Sequence, residues 1–278
     1  MARKFFSQCL LALFYWAALM QSGSSGPKQV LEYPTPSIRE QQEVVVDGVP
    51  EQWRLEWKGR TKPYCGADEA SAAITCPCQG FAYGESGDLY IVRLRDGKEI
   101  DRLHLTPLFE DEETAVVQRW PQNDKTDFNP EKPEKEDITK LVSKRPIVQV
   151  MQLEDYNHDG KRTEFYLQTE AVPCGRSVGV IVGITANRPR LHVFGTAENP
   201  AKPLYLQKHE WKTLREASSS SVDVLDWPCG DHGADTQTWV YLQWSAKGID
   251  GKRREYTCPS DHKAKKLIKE SPLWTRNQ

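Results

Sequence analysis

Three Asp-Gly steps constrain the fold of this chain more than any other feature. They occur at Asp47-Gly48, Asp96-Gly97 and Asp250-Gly251, and each separates two runs rich in alternating or β-branched residues. Glycine adopts the positive φ that a tight turn requires, so each step predicts a β-hairpin. The paired runs are 44–46 with 52–57, 89–95 with 99–105, and 239–245 with 253–257, and the last pair is joined by a predicted turn over 248–252.

Further strands are predicted from short β-rich runs, and helix is sparse. The run 178–185 is apolar at both alternating sets of positions, which indicates a strand in the middle of the molecule. Helix is predicted at 208–217, with shorter candidates at 134–142 and 262–270. The other predicted strands are 147–153, 164–169, 190–194 and 221–225. The sequence therefore predicts a mainly β protein with antiparallel sheets packed like a sandwich and a few short helices.

The first 24 residues have the layout of an export signal. Arg3 and Lys4 precede an apolar run over 10–20, and small residues follow from Ser22. This order is typical of a signal peptide, and the run is shorter than the roughly 20 residues of a membrane span. An uncleaved anchor is the alternative. We expect a secreted or periplasmic protein with no membrane attachment after processing, composed of a signal peptide (1–24), a Ser-, Gly-, Pro- and Gln-rich linker (25–42) and one domain (43–278).

Charge and cysteine content narrow the class of protein further. Without residues 1–24 the chain has 35 basic and 39 acidic residues, which gives no support for nucleic-acid binding. Six cysteines remain, an even number that favours disulfides in an oxidising compartment, with 15 possible pairings. Three precede residue 80 and three follow residue 173, so full pairing requires at least one bridge between the two halves. The six are Cys65, Cys76, Cys78, Cys174, Cys229 and Cys258.

This bridge favours one cross-linked domain. A charged, Pro-containing loop over 110–137 could still divide it into two subdomains. The Cys76-Pro77-Cys78 step also allows redox chemistry or a metal site, but no βαβ context accompanies it.

One motif, D-x-N-x-D-G, carries a specific chemical prediction. Asp155, Asn157 and Asp159 occupy its first, third and fifth positions, and Gly160 permits the sharp bend at the sixth. Alternate side chains then direct oxygen atoms to one centre, and the seventh residue offers its backbone carbonyl. The predicted ligands of a structural Ca²⁺ ion are Asp155, Asn157, Asp159, Lys161, Thr163 and Glu164.

Over residues 155–166 the chain resembles the calcium loops of EF-hand and dockerin modules and those of FG-GAP or VCBS repeats. Tyr166 stands where an EF-hand has its bidentate glutamate, and Thr163 stands where an FG-GAP loop usually has aspartate. Glu164 would compensate, and the predicted flanking strands bring the loop closer to the FG-GAP type. The alternative is an Asx-rich turn without metal. As a whole the chain resembles uncharacterised secreted bacterial proteins.

Catalytic patterns are weak. Gly175-x-Ser177-x-Gly179 matches the hydrolase nucleophile string, but a β-rich run follows it where the mechanism requires a helix. Asp231, His232 and Asp235 share one glycine-containing loop and could serve a secreted hydrolase. Exposed tryptophans could serve a carbohydrate-binding module. The sequence favours a binding or structural role over catalysis, predicts no catalytic residue, and leaves the ligand and the partner open.

Overall fold

The computed structural model describes residues 37–67, 69, 77–123, 127, 135–172, 176–245, 248–259 and 264–273. All of them belong to one compact unit, Pro34–Gln278. The predicted signal peptide, 1–24, lies outside the described residues. Within the described part, no helix is long and apolar enough to cross a membrane.

In the described residues, thirteen strands form three antiparallel sheets. Sheet A has the order β1-β2-β3-β4, with β5 paired to β3; sheet B has β6-β7-β8, with β9 paired to β7; sheet C has β10-β11-β12-β13. The strands are β1 (Ser37–Val46), β2 (Val49–Tyr64), β3 (Gly84–Arg95), β4 (Lys98–His104), β5 (Ala115–Gln118), β6 (Glu164–Val172), β7 (Arg176–Thr185), β8 (Arg188–Val193), β9 (Leu206–Gln207), β10 (Ser221–Trp227), β11 (Thr236–Ser245), β12 (Gly248–Thr257) and β13 (Leu267–Pro272). The described α-helices are α1 (Lys135–Val142) and α2 (Lys208–Glu216). The predicted mainly β, antiparallel fold class is confirmed.

Sheet B is the middle layer. Val180, Val182 and Ile184 on one face of β7 join the core formed with sheet A, which includes Trp53 and Phe109. Ile181 on the other face joins a second core made with α2 and sheet C, whose fully buried members include Trp211 and Leu242. The prediction of a central strand over 178–185 is confirmed, because each face of β7 covers a different apolar layer.

Two glycines let β6 and β7 approach closely. A Cβ atom on Gly179 would lie well inside van der Waals contact with the backbone oxygen of Leu167, and one on Gly183 would meet that of Thr163 in the same way. The aromatic ring of Tyr166 also covers Gly179. Any larger residue would therefore push the two strands apart.

Several boundaries differ from the sequence prediction. The first strand begins at Ser37, inside the segment assigned to the linker (25–42). The predicted helix over 262–270 is wrong, because Leu267–Pro272 is the edge strand β13. The predicted turn over 248–252 is also wrong: β12 begins at Gly248, and Asp250 and Gly251 pair with β11 inside the ladder.

The predicted strand over 147–153 is absent. The carboxylate of Glu40 accepts the backbone N–H groups of Val150 (2.8 Å) and Met151 (3.1 Å). The guanidinium of Arg39 donates to the backbone oxygen of Val148 at 2.8 Å. Side chains of β1 thus satisfy backbone groups that a neighbouring strand would otherwise pair, and the segment joins none of the sheets.

Two disulfides are described, Cys65–Cys78 and Cys229–Cys258. Each links cysteines within one half of the chain. Cys76 and Cys174 lie outside the described residues, so the predicted bridge between the halves remains a prediction. The 110–137 segment, predicted to be a loop, contains β5 and the start of α1. Ala115 and Val117 of β5 join the sheet A–sheet B core with Trp53 and Phe165 from either side, so that core is continuous across the segment.

Candidate metal centre and adjoining cleft

The D-x-N-x-D-G motif lies in a loop closed by backbone pairing at its base. Glu154 N–H donates to the Glu164 oxygen at 2.7 Å, and Glu164 N–H donates to the Glu154 oxygen at 3.2 Å. His158 has φ of 57° and Gly160 has φ of 83°, so the chain reverses within the loop. The loop leads directly into β6 and is held in a fixed register with it.

Three of the six predicted ligands come together at the loop. Asp155 Oδ1 and Asn157 Oδ1 both accept the Asp159 N–H, at 3.1 and 2.9 Å. Two oxygens that share one N–H lie close to each other, so the first and third positions converge. Asp155 Oδ2 accepts the Gly160 N–H at 2.9 Å. Asp159 follows the same pattern, because Oδ1 accepts the Lys161 N–H at 2.9 Å and Oδ2 accepts from Asn157 Nδ2 at 3.3 Å.

The other three predicted ligands have different surroundings. The Lys161 ammonium pairs with Asp47 in the β1–β2 turn at 2.5 Å. The only atom with which Lys161 could bind a metal ion is therefore its backbone carbonyl oxygen. Thr163 is buried and donates to Glu164 Oε1 at 2.7 Å. Glu164 is completely buried, and its Oε2 accepts the Tyr156 N–H at 3.0 Å. Thr163 and Glu164 therefore bond to each other behind the loop.

The charge of Glu164 depends on this loop. The pKa of its carboxyl group is raised from 4.5 to about 8, mainly by burial and in smaller part by the nearby Asp159 and Asp155 carboxylates. The hydrogen bonds from Thr163 and Tyr156 act in the opposite direction. A group with this pKa is mostly protonated at neutral pH unless a cation nearby offsets the negative charge.

His158 anchors the tip of the loop to two other layers. Its ring stacks on Trp244 of β11, with centroids 3.9 Å apart and planes inclined by 16°. Its Nε2 lies 2.9 Å from the backbone oxygen of Leu214 in α2, at hydrogen-bonding distance. The loop is thereby fixed to sheet C and to the last turn of α2.

A cleft of about 510 Å³ lies beside the loop. Trp244, Phe194 and His192 contribute rings to its lining, while Asn157 and Asp159 contribute polar atoms from the loop. The other polar side chains are Thr185, Asn187 and Arg188, at and beside the β7–β8 turn, and Ser245 at the end of β11. An apolar lining with a few polar groups, in a cleft of this size, is typical of small-molecule sites. Asn157 and Asp159 belong both to the candidate metal loop and to the cleft.

The loop that contains Asp231, His232 and Asp235 shows no comparable site. His232 is mostly exposed and lies 3.5 Å from Asp231, which in turn is 3.5 Å from Arg176. The Asp235 backbone oxygen accepts the N–H of Cys258, beside the Cys229–Cys258 bridge. None of the three lines the cleft described above. Ser177 lies inside β7, so the strand–turn–helix elbow of a hydrolase is absent there.

A buried charge network next to this loop was missed by the sequence analysis. Among the described residues, His209, Glu210 and Asp226 are the only group of three His, Cys, Asp or Glu side chains with ligand atoms within 4.8 Å of one another. Arg253 lies 2.9 Å from Asp226 and 3.6 Å from Glu210, and Arg176 lies 3.8 Å from Asp226. Two guanidinium groups already balance the two carboxylates, which argues against a metal at this position.

Glu210 has two roles in this network. As the third residue of α2 it accepts the Gln207 N–H at 2.7 Å and completes a capping box. The pKa of its carboxyl group is raised to about 7, mainly by burial and in smaller part by the neighbouring Asp226 carboxylate. The Q-x-x-E spacing before an amphipathic run is the one sequence signal that could have indicated the role of Glu210 in this capping box.

No family model, no curated protein and no solved structure matches this chain.

Proposed function

We propose that this chain is an exported binding protein in which one Ca²⁺ ion stabilises the 154–164 loop and thereby one wall of the adjoining cleft. The ligands would be the side chains of Asp155, Asn157 and Asp159 and the backbone carbonyl of Lys161. The observation that carries the proposal is the convergence of Asp155 Oδ1 and Asn157 Oδ1 on one N–H group. The two described disulfides support an oxidising compartment, in which calcium is abundant.

The donor set favours calcium over other metals. All of these atoms are hard oxygens, whereas zinc prefers cysteine sulfur and histidine nitrogen. A carboxylate offers about four lone-pair sites, so each aspartate can accept its loop hydrogen bonds and still bind a cation. The ion would also offset the repulsion among Asp155, Asp159 and the buried Glu164.

The coordination shell would be incomplete without further oxygens. Calcium takes about six to eight ligands, and the loop offers about four once Thr163 and Glu164 are excluded. The remaining positions would be filled by water or by hydroxyl groups of a ligand. Affinity should be modest, on the order of 10⁻⁴ to 10⁻³ M, as in other extracellular calcium modules.

Thermal unfolding tests the calcium proposal. At a Kd of roughly 10⁻⁴ M, about 1 mM calcium should stabilise the fold by about 1.4 kcal/mol and raise Tm by a few degrees relative to chelator. Asp159→Asn should abolish this shift and the heat of binding seen by calorimetry. Asp235→Asn removes one negative charge elsewhere and should retain both. If the wild-type Tm and calorimetric heat do not respond to millimolar calcium, the loop is an Asx turn without metal.

A saccharide is the ligand class that the cleft favours. Trp244 and Phe194 provide apolar ring surface, and Asn157, Asp159 and Arg188 provide hydrogen-bonding groups beside it. Trp239, which could have formed an exposed platform, has the Lys265 ammonium 4.3 Å from its ring centre. The cleft is therefore a better candidate than that sheet face. Glycan-array binding that Trp244→Ala removes and Trp239→Ala retains would support this assignment, and the reverse pattern would contradict it.

A further inference from the structure

A second cleft lies beside the same loop and is lined by side chains of α2. Its volume is about 320 Å³, and Lys208, Lys212 and Arg215 line it together with Tyr156 of the loop and Gln168 of β6. The three cations occupy positions i, i+4 and i+7 of α2, which share one face of a helix. This concentration of positive charge has no role in calcium binding.

The acids near the cleft offset only part of this positive charge. Glu216 forms ion pairs with both Lys212 and Arg215, each at 2.7 Å. Glu154, the one acid in the lining, pairs with Arg162 at 3.0 Å. Lys208 forms no ion pair with any described residue. The three cations of α2 in the lining therefore outnumber the two nearby carboxylates, and Lys208 keeps an unpaired positive charge.

The rest of the lining is neutral and partly apolar. Phe81, Val117, Val150 and Leu167 supply apolar surface. Amide groups that could bind an anion or a polar edge come from Gln118, Gln149, Gln152 and Gln168. Apolar surface next to the unpaired Lys208 and the excess positive charge of α2 matches a ligand with an apolar body and one anionic group better than a bare inorganic ion.

We propose that this basic cleft binds an amphipathic organic anion, with its carboxylate, sulfonate, sulfate or phosphate group at Lys208 and Lys212 and its apolar body against Phe81, Val150 and Leu167. The proposal does not depend on calcium or on the saccharide cleft. It rests on the charge and the lining of the cleft alone.

Two fluorescent probes of similar shape test it. 8-Anilinonaphthalene-1-sulfonate carries an anionic group, and N-phenyl-1-naphthylamine has the same aromatic body without it. The sulfonate should bind the full-length folded protein at one site, at least about tenfold more tightly than the neutral probe. Lys208→Gln/Lys212→Gln should weaken sulfonate binding at least about tenfold, since a hydrogen bond to a charged group contributes that much affinity.

A matched control variant removes two positive charges from a surface outside both clefts. Lys58 and Lys98 are exposed and line neither cleft, so Lys58→Gln/Lys98→Gln should leave sulfonate binding unchanged. Near-UV circular dichroism and Tm should confirm that each variant is folded. Three results would overturn the proposal. The first is equal affinity for the two probes, and the second is an equal loss of sulfonate affinity in both double lysine variants. The third is displacement of the sulfonate by inorganic phosphate at the same affinity.

Discussion

Replacing Glu164 by glutamine should change how the stability of this protein depends on pH. The side chain is completely buried, and its carboxyl pKa is about 8 in the folded state against an ordinary value of 4.5. Between these values the folded state holds one proton that the unfolded state has released. In the wild type, Glu164 Oε2 accepts the Tyr156 N–H at 3.0 Å. Glutamine resembles the protonated acid in shape, and its side-chain carbonyl oxygen can accept the same N–H.

The direction of the effect follows from proton linkage. Because the folded-state pKa is raised, the stability that the neutral carboxyl group contributes is complete below about pH 4.5 and is lost as pH rises towards about 8. The full slope is about 1.4 kcal/mol per pH unit. Between about pH 5.5 and about pH 7.5, the wild type should lose roughly 2 to 3 kcal/mol relative to Glu164→Gln.

Urea unfolding of both proteins in chelator, at three pH values within this window, measures the difference directly. Glu210, with a pKa of about 7, contributes in the same direction, but it is present in both proteins and cancels. Glu154→Gln, which removes a partly exposed acid at the base of the same loop, should give no comparable trend. A stability difference between wild type and Glu164→Gln that stays constant over this pH range would refute the argument.

Three further outcomes are expected. Gly179→Ala should destabilise the fold by about 1–3 kcal/mol or more in denaturant unfolding, since the new methyl group meets the Leu167 oxygen, and a loss below about 0.5 kcal/mol would contradict the close β6–β7 contact. Thiol titration of the denatured, unreduced protein after removal of residues 1–24 should find no free thiol among its six cysteines, and peptide mapping should link Cys76 to Cys174, the pair that remains once Cys65–Cys78 and Cys229–Cys258 are assigned. Two free thiols would disprove this. Mass spectrometry of the exported protein should find a mature N-terminus at residues 23–27, whereas an intact Met1 on membrane-bound protein would support the anchor.

The features that the sequence predicted best depend on neighbours in the chain. At Asp47-Gly48 both central φ angles are positive, 51° and 80°, and at Asp96-Gly97 they are 51° and 73°. These are the values that a two-residue hairpin turn requires, so the local residue types were sufficient. The apolar residues on both faces of β7 likewise indicated its central position. The same rule wrongly predicted a turn at Asp250-Gly251, because backbone pairing of these two residues with β11 outweighs their turn preference.

The features that were missed depend on residues far apart in the chain. The 147–153 segment has strand-like composition, but Arg39 and Glu40, more than 100 positions away, bond to its backbone groups. The Glu210–Asp226 network and both clefts are likewise assembled from separate segments. The D-x-N-x-D-G spacing predicted the convergence of Asp155 and Asn157. It could not predict that burial would turn Thr163 and Glu164 towards each other.

The position of the 154–164 loop links the two binding proposals without making one depend on the other. Tyr156 lines the basic cleft, Asn157 and Asp159 line the cleft proposed to bind a saccharide, and His158 between them is held by Trp244 and by the Leu214 carbonyl. A cation bound by Asp155, Asn157 and Asp159 would order a segment that contributes to both linings. A ligand that prefers the ordered loop would then bind calcium-loaded protein more tightly and, by thermodynamic reciprocity, raise its calcium affinity by the same factor. The charge of Lys208 and Lys212 is independent of the loop, so the basic cleft should still discriminate anionic from neutral ligands when calcium is removed.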